Sequence, residues 1–419
     1  MTDEEDDDRT TMLALVHDPD THSLTLSEVP IPVPTGPDEH LIQVHAVALT
    51  NGELKWPEPA TQTPAIPGYE VSGTVVEAPN KSSPFQPGTE VYALTDFNRR
   101  GNACEFAIVL TSELRQKPEA LSWEEAATVP LSALTAWQVL FVHGGLTLPN
   151  EPVTRPPTPP QIYSSPPRPP PLQRQHSHPY SRQQSPASRS SSRPSSSHRP
   201  RSIVVGDDVN ANKRVLITAA AGGVGLWAVQ LARLAGVGHI TATCGPANVD
   251  FVRSLGAHRV IDYTTLRNTG DAGSSSVNPR EGGGSGRNSP STTHGRTRSS
   301  SQSRYGSYYS SDKYDLVLDC VGGDTLKRAW TSARHGGTVI SIVMPPDKLR
   351  PETGVGMDVR GVFFIVHADS EQLQAITDLI EARAVKAVFD SAFQLEQYEA
   401  AFAKVQSSHV RGKVVLRLA

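Results

Sequence analysis

The hydrophobic pattern has a period of two in the first part of the chain. Residues 41–49 (LIQVHAVAL) alternate apolar and polar side chains, and β-rich runs recur at residues 68–76, 90–94 and 105–110. Pro-Gly turns punctuate these runs. Alternation over short segments with frequent turns is typical of antiparallel strands. This region is therefore predicted to form a small β-barrel.

From residue 213 onward, strands alternate with helices. Residues 215–217 are an apolar run without alternation, as in a strand that is buried on both faces. A glycine-rich turn and a helical segment follow it. Later β-rich runs occur at residues 239–244, 259–263, 314–321 and 337–343. Strands that alternate with helices predict a parallel, doubly wound sheet.

The glycine turn, residues 220–225, reads AAGGVG. Against the dinucleotide-binding fingerprint G-x-G-x-x-G, Ala220 replaces the first glycine, whereas Gly222 and Gly225 match the second and third. Gly222 would let a pyrophosphate approach the backbone, and Gly225 would let helix and strand pack closely. An ordinary tight turn explains the glycines equally well. The segments that follow favour a nucleotide.

The cofactor is predicted to be NADPH. The run at residues 239–244 lies about 20 residues past the glycines, where NAD-binding folds place an acid for the ribose 2′-hydroxyl. Here the strand ends in Thr243, Cys244 and Gly245, and no acid follows until Asp250. A strand end without a carboxylate tolerates a 2′-phosphate.

Composition divides the chain further. The low apolar fraction of 37% and the 35 Pro are explained by two low-complexity inserts, residues 150–212 and 267–312. Neither insert has enough apolar side chains to offset the entropy cost of ordering, so both are predicted to be disordered, as is the acidic tail, residues 1–10. Residues 151–201 carry eight Arg and one Glu, so the remainder is strongly acidic. That charge argues against nucleic acid as a partner.

The inserts have alternative interpretations. Residues 155–161 (RPPTPPQ) could bind an SH3-type partner as a polyproline ligand, and Ser185 before Pro186 could accept a phosphate for a phospho-dependent partner. An unselective solvated loop is the other interpretation. Both inserts are expected to be dispensable, so that deleting residues 152–208 and 268–311 would leave a folded enzyme.

Targeting signals are not evident in the sequence. Three scattered Cys are typical of cytosolic thiols, and no apolar stretch approaches the roughly 18 residues of a membrane span. The N-terminus is acidic, unlike a secretory or mitochondrial signal. A cytoplasmic protein with no membrane partner is expected.

Several motifs together resemble one family. AAAGGVG, TATCGPANVDFVRSLGAHRVIDY, YDLVLDCVGGDTL and RGKVVL are similar to the zinc-independent quinone oxidoreductase (zeta-crystallin-like) branch of the medium-chain dehydrogenase/reductase superfamily. The resemblance implies an α/β protein with a GroES-like β-barrel domain, a Rossmann doubly wound parallel sheet and two disordered inserts. The implied boundaries are residues 11–136 plus 391–419 for the GroES-like catalytic domain and 137–390 for the Rossmann domain. A homodimer is also implied.

The resemblance implies a set of cofactor-binding residues. Thr135 would lie near the nicotinamide, although a buried Thr bonded to its own helix fits the local sequence equally well. The glycine turn would hold the pyrophosphate through Ala221, Gly222, Gly223, Val224 and Gly225. The 2′-phosphate end would involve Asn248 and Tyr263, with Arg411 and Lys413 near the cofactor. Val321, Ile342, Phe364 and Ile365 would pack around the nicotinamide.

No zinc site is expected. The Gly-His-Glu motif of the zinc enzymes reads Gly68-Tyr69-Glu70 here, Thr50 lies near the position of their first Cys, and no four-Cys lobe exists. The resembled family's Asn-Pro-x-Asp segment reads Thr50-Asn51-Gly52-Glu53. Candidates for the substrate cleft are Tyr69, Glu53, Asn51 and Lys55. For Tyr69, a packed barrel tyrosine is the alternative.

These observations predict an NADPH-dependent reductase of a small-molecule quinone or α,β-unsaturated carbonyl. Such acceptors need hydride delivery and a proton for the developing enolate, which a shaped cleft supplies without a metal. One alternative is a trans-acting enoyl reductase of polyketide or secondary metabolism. The other is a catalytically idle Rossmann scaffold that presents its inserts to partners.

Overall fold

The computed structural model describes residues 9–18, 20–56, 64–148, 208–265 and 313–418. The acidic tail up to residue 8, nearly all of both inserts, the polyproline segment and Ser185 lie outside these residues.

The strands are β1 (Thr11–His17), β2 (Leu24–Pro30), β3 (Glu39–Leu49), β4 (Glu70–Glu77), β5 (Glu90–Leu94), β6 (Phe106–Leu110), β7 (Leu114–Gln116), β8 (Arg214–Ile217), β9 (His239–Cys244), β10 (Arg259–Asp262), β11 (Tyr314–Asp319), β12 (Ala333–Ser341), β13 (Arg360–Phe363), β14 (Phe389–Gln394) and β15 (Lys413–Arg417). The α-helices are α1 (Trp123–Ala127), α2 (Pro130–Trp137), α3 (Gly223–Leu234), α4 (Val249–Ser254), α5 (Gly323–Ser332), α6 (Ser370–Glu381) and α7 (Tyr398–Gln406).

The first sheet is the predicted barrel. Its order is β14-β15-β3-β4-β5-β7, with β6 paired to the other end of β3, and β1 and β2 form a hairpin beside it. β3 is long enough to pair with β4, β6 and β15. Ile42 and Val44, and then Val47 and Leu49 after a register shift between Val44 and Ala46, are buried in the barrel core. The alternation at residues 41–49 therefore places one face of β3 in the barrel core.

The second sheet is the predicted doubly wound sheet. All six strands are parallel and follow the order β10-β9-β8-β11-β12-β13. This order reverses between β8 and β11, where such folds bind dinucleotides. Val215, Leu216 and Ile217 of β8 have no exposed surface, as expected for a central strand covered on both faces.

Two helices connect the sheets. Ser122 and Glu125 form the capping box that starts α1, as their spacing predicts. After α2, residues Gln138–His143 continue as a π-helical turn, a widened geometry that is often found near functional sites. No helix in the described ranges is long and apolar enough to cross a membrane.

The C-terminal segment returns to the barrel. β14 pairs with β15, and β15 pairs with β3. β14 begins at Phe389, two residues before the boundary expected at 391. β7 and β14 have no counterpart among the predicted strands, because neither has a clear apolar alternation.

The first insert is shorter than predicted. Asp208–Asn210 form a 3₁₀ turn inside the range assigned to disorder. The Asn210 side chain is buried, and its amide donates to the carbonyl oxygens of Thr147 and Ala235, each at 2.7 Å. Residues on either side of the insert are therefore fastened to each other. The boundary at 212 is wrong because a buried side-chain amide orders this polar segment.

The second insert joins strands that are not neighbours. β9 and β8 lie between β10 and β11. From the carboxyl end of β10 the chain must cross three strand spacings, about 14 Å, in the plane of the sheet. It must also run back about 20 Å along the strand direction, because β11 is parallel to β10 and begins at the opposite edge. Deleting residues 268–311 leaves only 263–267 and 312–313, which span that path only when almost fully extended, at about 3.5 Å per residue. The expectation of a short connection here is wrong.

The two inserts should therefore differ in a deletion experiment. Removing residues 152–204 should leave a monodisperse protein whose Tm stays within about 4 °C of the full chain, which corresponds to less than about 2 kcal/mol. Removing residues 268–311 should lower the Tm much further or abolish folding. A Gly-Ser linker of about 15 residues in its place should restore stability. Equal Tm values for both simple deletions would contradict this account of the topology.

Candidate functional site

The glycine turn leads from β8 into α3 at the carboxyl edge of the parallel sheet. Ala219, just before it, has a φ of 49°, a left-handed conformation that costs a non-glycine residue about 1–2 kcal/mol. Thr243 of β9 holds this strained backbone: its carbonyl accepts from Ala220 N at 2.8 Å and its hydroxyl from Ala219 N at 3.3 Å. Gly222 caps α3 without a side-chain hydrogen bond, which leaves the first N–H groups of the helix available to an anion.

The three glycines of the turn differ in how much room each leaves for a side chain. A Cβ on Gly225 would lie 2.4 Å from the Ala219 carbonyl oxygen, so close packing of helix on strand requires glycine there. A Cβ on Gly223 would lie 2.7 Å from Ser132 Oγ in α2. Gly222 has an ordinary φ of −80°, and a Cβ there would meet only Ala219 O at 3.3 Å. The fold thus leaves an open cradle at Gly222, which fits the close approach of a pyrophosphate.

The C-terminal segment is bonded directly to this turn. Gly412 N donates to the Ala221 carbonyl at 2.8 Å, and Gly412 forms a parallel bridge with Gly222. Lys413 follows, and its Cε would lie 3.2 Å from a Cβ on Gly223. The Lys413 stem therefore runs beneath the glycine turn toward the barrel.

Lys413 ends in a buried ionic cluster formed by Thr50, Glu53, Glu70 and Lys413. Its ammonium makes an ion pair with Glu70 Oε1 at 2.5 Å and donates to Thr50 Oγ1 at 2.6 Å and Leu49 O at 3.4 Å. The ammonium therefore donates two hydrogen bonds, to Thr50 and Leu49, and faces the Glu70 carboxylate as an ion pair. The resemblance implies a place for Lys413 near the cofactor: its stem lies against the glycine turn, while its ammonium points into the protein interior.

The two carboxyl groups of the ionic cluster differ in their surroundings. Glu70 has no exposed surface, and its Oε2 accepts from Leu131 N at 3.1 Å. Glu53 accepts from Thr50 N at 3.1 Å, while its Oε1 has no partner within the described ranges. Burial raises the pKa of Glu53 to about 8, although the charge of Lys413 opposes this shift. Burial also raises the pKa of Glu70, but the charge of Lys413 and the hydrogen bond from Leu131 N oppose that shift. Because Lys413 pairs directly with Glu70, we assign the negative charge to Glu70 and the proton to Glu53 near neutral pH.

The donor set does not fit zinc. Thr50 and Tyr69 offer hydroxyl groups where zinc enzymes have thiolate and imidazole, and Glu70 is already paired with an ammonium. Within the described ranges, no three His, Cys, Asp or Glu side chains are grouped so that they could hold a metal ion.

The carboxyl end of β9 gathers three predicted residues. Arg411 Nε donates to Asn248 Oδ1 at 2.9 Å, and the guanidinium stacks 4.6 Å from the ring centroid of Phe251. The Tyr263 hydroxyl would lie 3.4 Å from a Cβ on Gly245. Asn248, Tyr263 and Arg411 thus surround the strand end where a dinucleotide fold places the adenosine ribose.

A cavity of about 350 Å³ opens beside this strand end. It is lined by Ala247, Asn248, Phe389, Asp390, His409 and Arg411. Asp390 is compensated by Lys404 at 3.3 Å and by Arg411 N at 3.0 Å. His409 was missed by the sequence analysis, although it lies in the same loop two residues before Arg411.

The residues expected around the nicotinamide follow the ends of three parallel strands. Val321, Ile342 and Phe364 come just after β11, β12 and β13, and Val321 is half exposed. Ile365 is 68% exposed, and Phe364 packs 4.5 Å from the His143 ring.

The carboxylate of Asp319, which the sequence analysis did not single out, holds together the carboxyl ends of β11 and β12. Asp319 is buried and accepts from Gly322 N at 3.0 Å and from the Ser341 hydroxyl at 3.0 Å. Its burial raises its pKa. Only the fold reveals this role, because nothing in the strand sequence marks Asp319 as buried.

The remaining predicted residues separate into buried and exposed groups. Thr135 is buried and donates to Leu131 O at 2.6 Å, so its hydroxyl hydrogen is used within α2. Asn51 and Lys55 are exposed on the segment that follows β3. Within the described residues, Asn51 and Lys55 make no hydrogen bond or ion pair with the ionic cluster, whereas Glu53, from the same segment, belongs to it.

Tyr69 belongs to an aromatic trio formed by Trp56, Tyr69 and Phe97. Tyr69 stacks on Trp56 at 5.9 Å and meets Phe97 edge-on at 5.1 Å between ring centroids. Only 8% of Tyr69 is exposed, while Trp56 and Phe97 are partly exposed. Tyr69 directly precedes Glu70, and Trp56 N donates to Glu53 O at 3.1 Å, so the backbone joins two members of the trio to the ionic cluster.

Two family models match the chain. Residues 36–129 match the alcohol dehydrogenase GroES-like domain, and residues 300–416 match the zinc-binding dehydrogenase model. The "Probable zinc-binding oxidoreductase, mitochondrial" of Arthroderma benhamiae is 37% identical over 399 residues, which cover 94% of this chain and 93% of that one.

More distant relatives agree with this assignment. The "Chloroplast envelope quinone oxidoreductase homolog" of Arabidopsis thaliana is 26% identical over 402 residues, covering 93% of each chain. The solved quinone oxidoreductase of Coxiella burnetii has the same fold, with a TM-score of 0.65, 20% identity and coverage of 98% and 100% of the two chains. The chain belongs to the medium-chain dehydrogenase/reductase superfamily, and it is an oxidoreductase whose fold implies a nicotinamide cofactor.

Gly222→Ala should separate cofactor binding from folding. The new methyl group meets only one backbone oxygen, so the Tm without nucleotide should change by less than about 3 °C. The methyl group would occupy the cradle, and overpacking there of about 1–3 kcal/mol should weaken nucleotide binding roughly 5- to 150-fold. Fluorescence titration and thermal unfolding measure the two effects. Gly225→Ala is the matched control and should lose stability; a Gly222→Ala protein with unchanged nucleotide affinity would contradict the cradle.

Proposed function

We propose that this protein is a zinc-independent, NADPH-dependent oxidoreductase that reduces a quinone or an α,β-unsaturated carbonyl by hydride transfer. The observation that carries the proposal is the buried ion pair between Lys413 and Glu70. By resemblance, Glu70 belongs to the segment that corresponds to the Gly-His-Glu motif of the zinc enzymes. A conjugated acceptor needs no Lewis acid, because the charge that forms is delocalised and hydrogen-bond donors stabilise it. This acceptor class fits a site without metal ligands.

The residues fit a nicotinamide dinucleotide along the carboxyl edge of the sheet. The open cradle at Gly222 and the N-terminus of α3 would take the pyrophosphate, and Arg411, Asn248 and Tyr263 would take the 2′-phosphate. Val321, Ile342 and Phe364 would bound the nicotinamide end. The bound cofactor supplies the hydride; the protein orients it and excludes water.

The aromatic trio supports a planar substrate. Trp56 and Phe97 retain exposed ring surface, and an aromatic wall of this kind favours stacking of a conjugated ring. The quinone oxidoreductase names of relatives in plants agree with this substrate class.

Two other functions remain as hypotheses. A trans-acting enoyl reductase would use the same cofactor on a carrier-bound enone. An idle scaffold would bind partners through the inserts, whose SH3-type and phospho-dependent motifs lie outside the described residues. Neither has a specific contact within the described ranges in its favour.

Location and assembly are further proposals from the sequence. A cytoplasmic location stays a prediction, and the fungal relative carries a mitochondrial name. The proposed homodimer has a suitable surface at β13, an edge strand of the parallel sheet. Its last residue, Phe363, and Ile365 just beyond it are exposed.

Turnover is the direct test of the function. Purified protein should consume NADPH, followed by loss of its absorbance, with simple quinones or enones, and the rate should survive dialysis against a zinc chelator. Ketones without conjugation serve as the control and should react at least about 100-fold more slowly, since nothing delocalises the alkoxide that forms. Binding of NADPH without turnover of any conjugated acceptor would favour the scaffold.

Cofactor preference should depend on the β9 strand end. A charge-assisted contact of about 1.5–3 kcal/mol predicts that NADPH binds roughly tenfold or more tightly than NADH. Changing Tyr263→Phe and Arg411→Met together should remove most of this preference and leave NADH affinity unchanged. Arg253→Met is the matched control, because Arg253 is exposed and pairs with Asp250. Equal affinities of the unmodified protein for NADPH and NADH would contradict the NADPH assignment.

A further inference from the structure

The Thr50 hydroxyl has an unusual hydrogen-bond environment. It accepts from the Lys413 ammonium at 2.6 Å, and an ammonium cannot accept in return. The hydroxyl hydrogen must therefore point elsewhere. Within the described ranges, no acceptor lies within hydrogen-bond distance of it, and Thr50 is only partly buried.

Thr50 is linked to the cofactor cradle through Lys413 and to Trp56 of the aromatic trio through its own segment, in which Thr50 O accepts from Glu53 N at 3.3 Å and Glu53 O accepts from Trp56 N at 3.1 Å. The Lys413 side chain reaches from beneath Gly223 to Thr50. On the other side, Glu70 of the ionic cluster directly follows Tyr69 of the trio. Thr50 itself comes directly after the last residue of β3, near the place of the first zinc ligand in metal-dependent members of the superfamily. A substrate oxygen beside the trio would therefore meet a hydroxyl where those enzymes present a metal.

The surrounding charges favour donation by Thr50. A hydroxyl that accepts from a cation becomes a stronger donor, because hydrogen bonds in a chain polarise one another. Burial keeps Glu53 protonated near neutral pH, so no second carboxylate competes for the charge of Lys413. Glu70 fixes the ammonium from the opposite side at 2.5 Å.

We propose that the Thr50 hydroxyl, oriented and polarised by Lys413, donates the hydrogen bond that stabilises the negative charge developing on the substrate's carbonyl oxygen. Lys413 is then a positioning residue and Thr50 a catalytic one. This assignment rests on the proposed function, since it requires an acceptor that becomes an enolate or a hydroquinone anion. It gives the site an oxyanion donor in place of a Lewis acid.

The test uses p-nitrophenolate as a planar oxyanion probe, titrated into full-length protein saturated with NADP⁺ at a pH where the phenol is ionised. Thr50→Val should weaken its binding roughly tenfold or more, as loss of a charge-assisted hydrogen bond predicts. Thr50→Ser should bind within about threefold of the unmodified protein, because its hydroxyl retains the donor. The affinity for NADP⁺ should stay the same in both variants. Thr50→Ala provides a second hydroxyl-free protein if Thr50→Val does not fold.

A control separates a lost hydroxyl from a lost stabilising contact. Thr128 is buried, and its hydroxyl donates to Glu125 O at 2.8 Å within α1. Thr128→Val should lower the Tm without changing p-nitrophenolate affinity. Lys413 is left intact, because its removal would leave Glu70 as an unpaired buried charge.

The outcomes distinguish this assignment from the proposed function. Unchanged p-nitrophenolate binding in Thr50→Val, or no binding by the unmodified protein, would overturn the assignment. A proportionate loss of NADP⁺ affinity would also overturn it, since Thr50 would then serve the cofactor. Binding that depends on Thr50, without turnover of any quinone or enone, would support the oxyanion site and reject the reductase. With turnover, Thr50→Val should lower kcat about 100-fold at similar KM, and Thr50→Ser should restore it.

Discussion

A single buried ammonium joins the parts of this molecule that must work together. Lys413 leaves the C-terminal strand, passes beneath the glycine turn and reaches the ends of β3 and β4 in the barrel. A buried charge is tolerated when it is paired, and Lys413 has the Glu70 carboxylate as its counter-charge and donates hydrogen bonds to Thr50 and Leu49. The cofactor cradle and the barrel side of the cleft are therefore held in register by one side chain.

The C-terminal segment also contributes residues to the part of the site proposed to bind the adenosine half of the cofactor. Gly412 pairs with Gly222, and Arg411 reaches Asn248 beyond the end of β9. Three consecutive residues thus contribute a backbone tether, a guanidinium and a buried ammonium. Because they come from the strand that completes the barrel, the dinucleotide site forms only when the last segment has folded onto the sheet.

The two inserts occupy different topological positions. The first lies between segments that Asn210 already fastens together, so its length has little effect on the fold. The second lies in the crossover between β10 and β11, at the point where the strand order reverses. Loop-closure entropy rises slowly with length, so a long crossover is tolerated where a very short one is not.

The sequence by itself determined the elements whose signals are local. Alternation marked β3, the uninterrupted apolar run marked β8, and the spacing of Gly222 and Gly225 marked the cradle. The motif order then led to the nicotinamide cofactor class and the superfamily, whereas the strand end without an acid carries the prediction of NADPH. Each of these signals lies within a short stretch of chain, because side-chain period and turn chemistry are local properties.

The tertiary structure decided which distant side chains meet. The sequence placed Lys413 near the cofactor and showed Glu70 only as part of a segment that departs from the zinc-binding motif. The ammonium of Lys413 contacts Glu70 and Thr50, which lie more than three hundred residues earlier in the chain. Burial, which raises the pKa of Glu53 and leaves one of its oxygens without a partner, likewise depends on the packing of strands far apart in the chain. The partners of a charge and the solvent around it are set by the whole fold, and no local pattern encodes them.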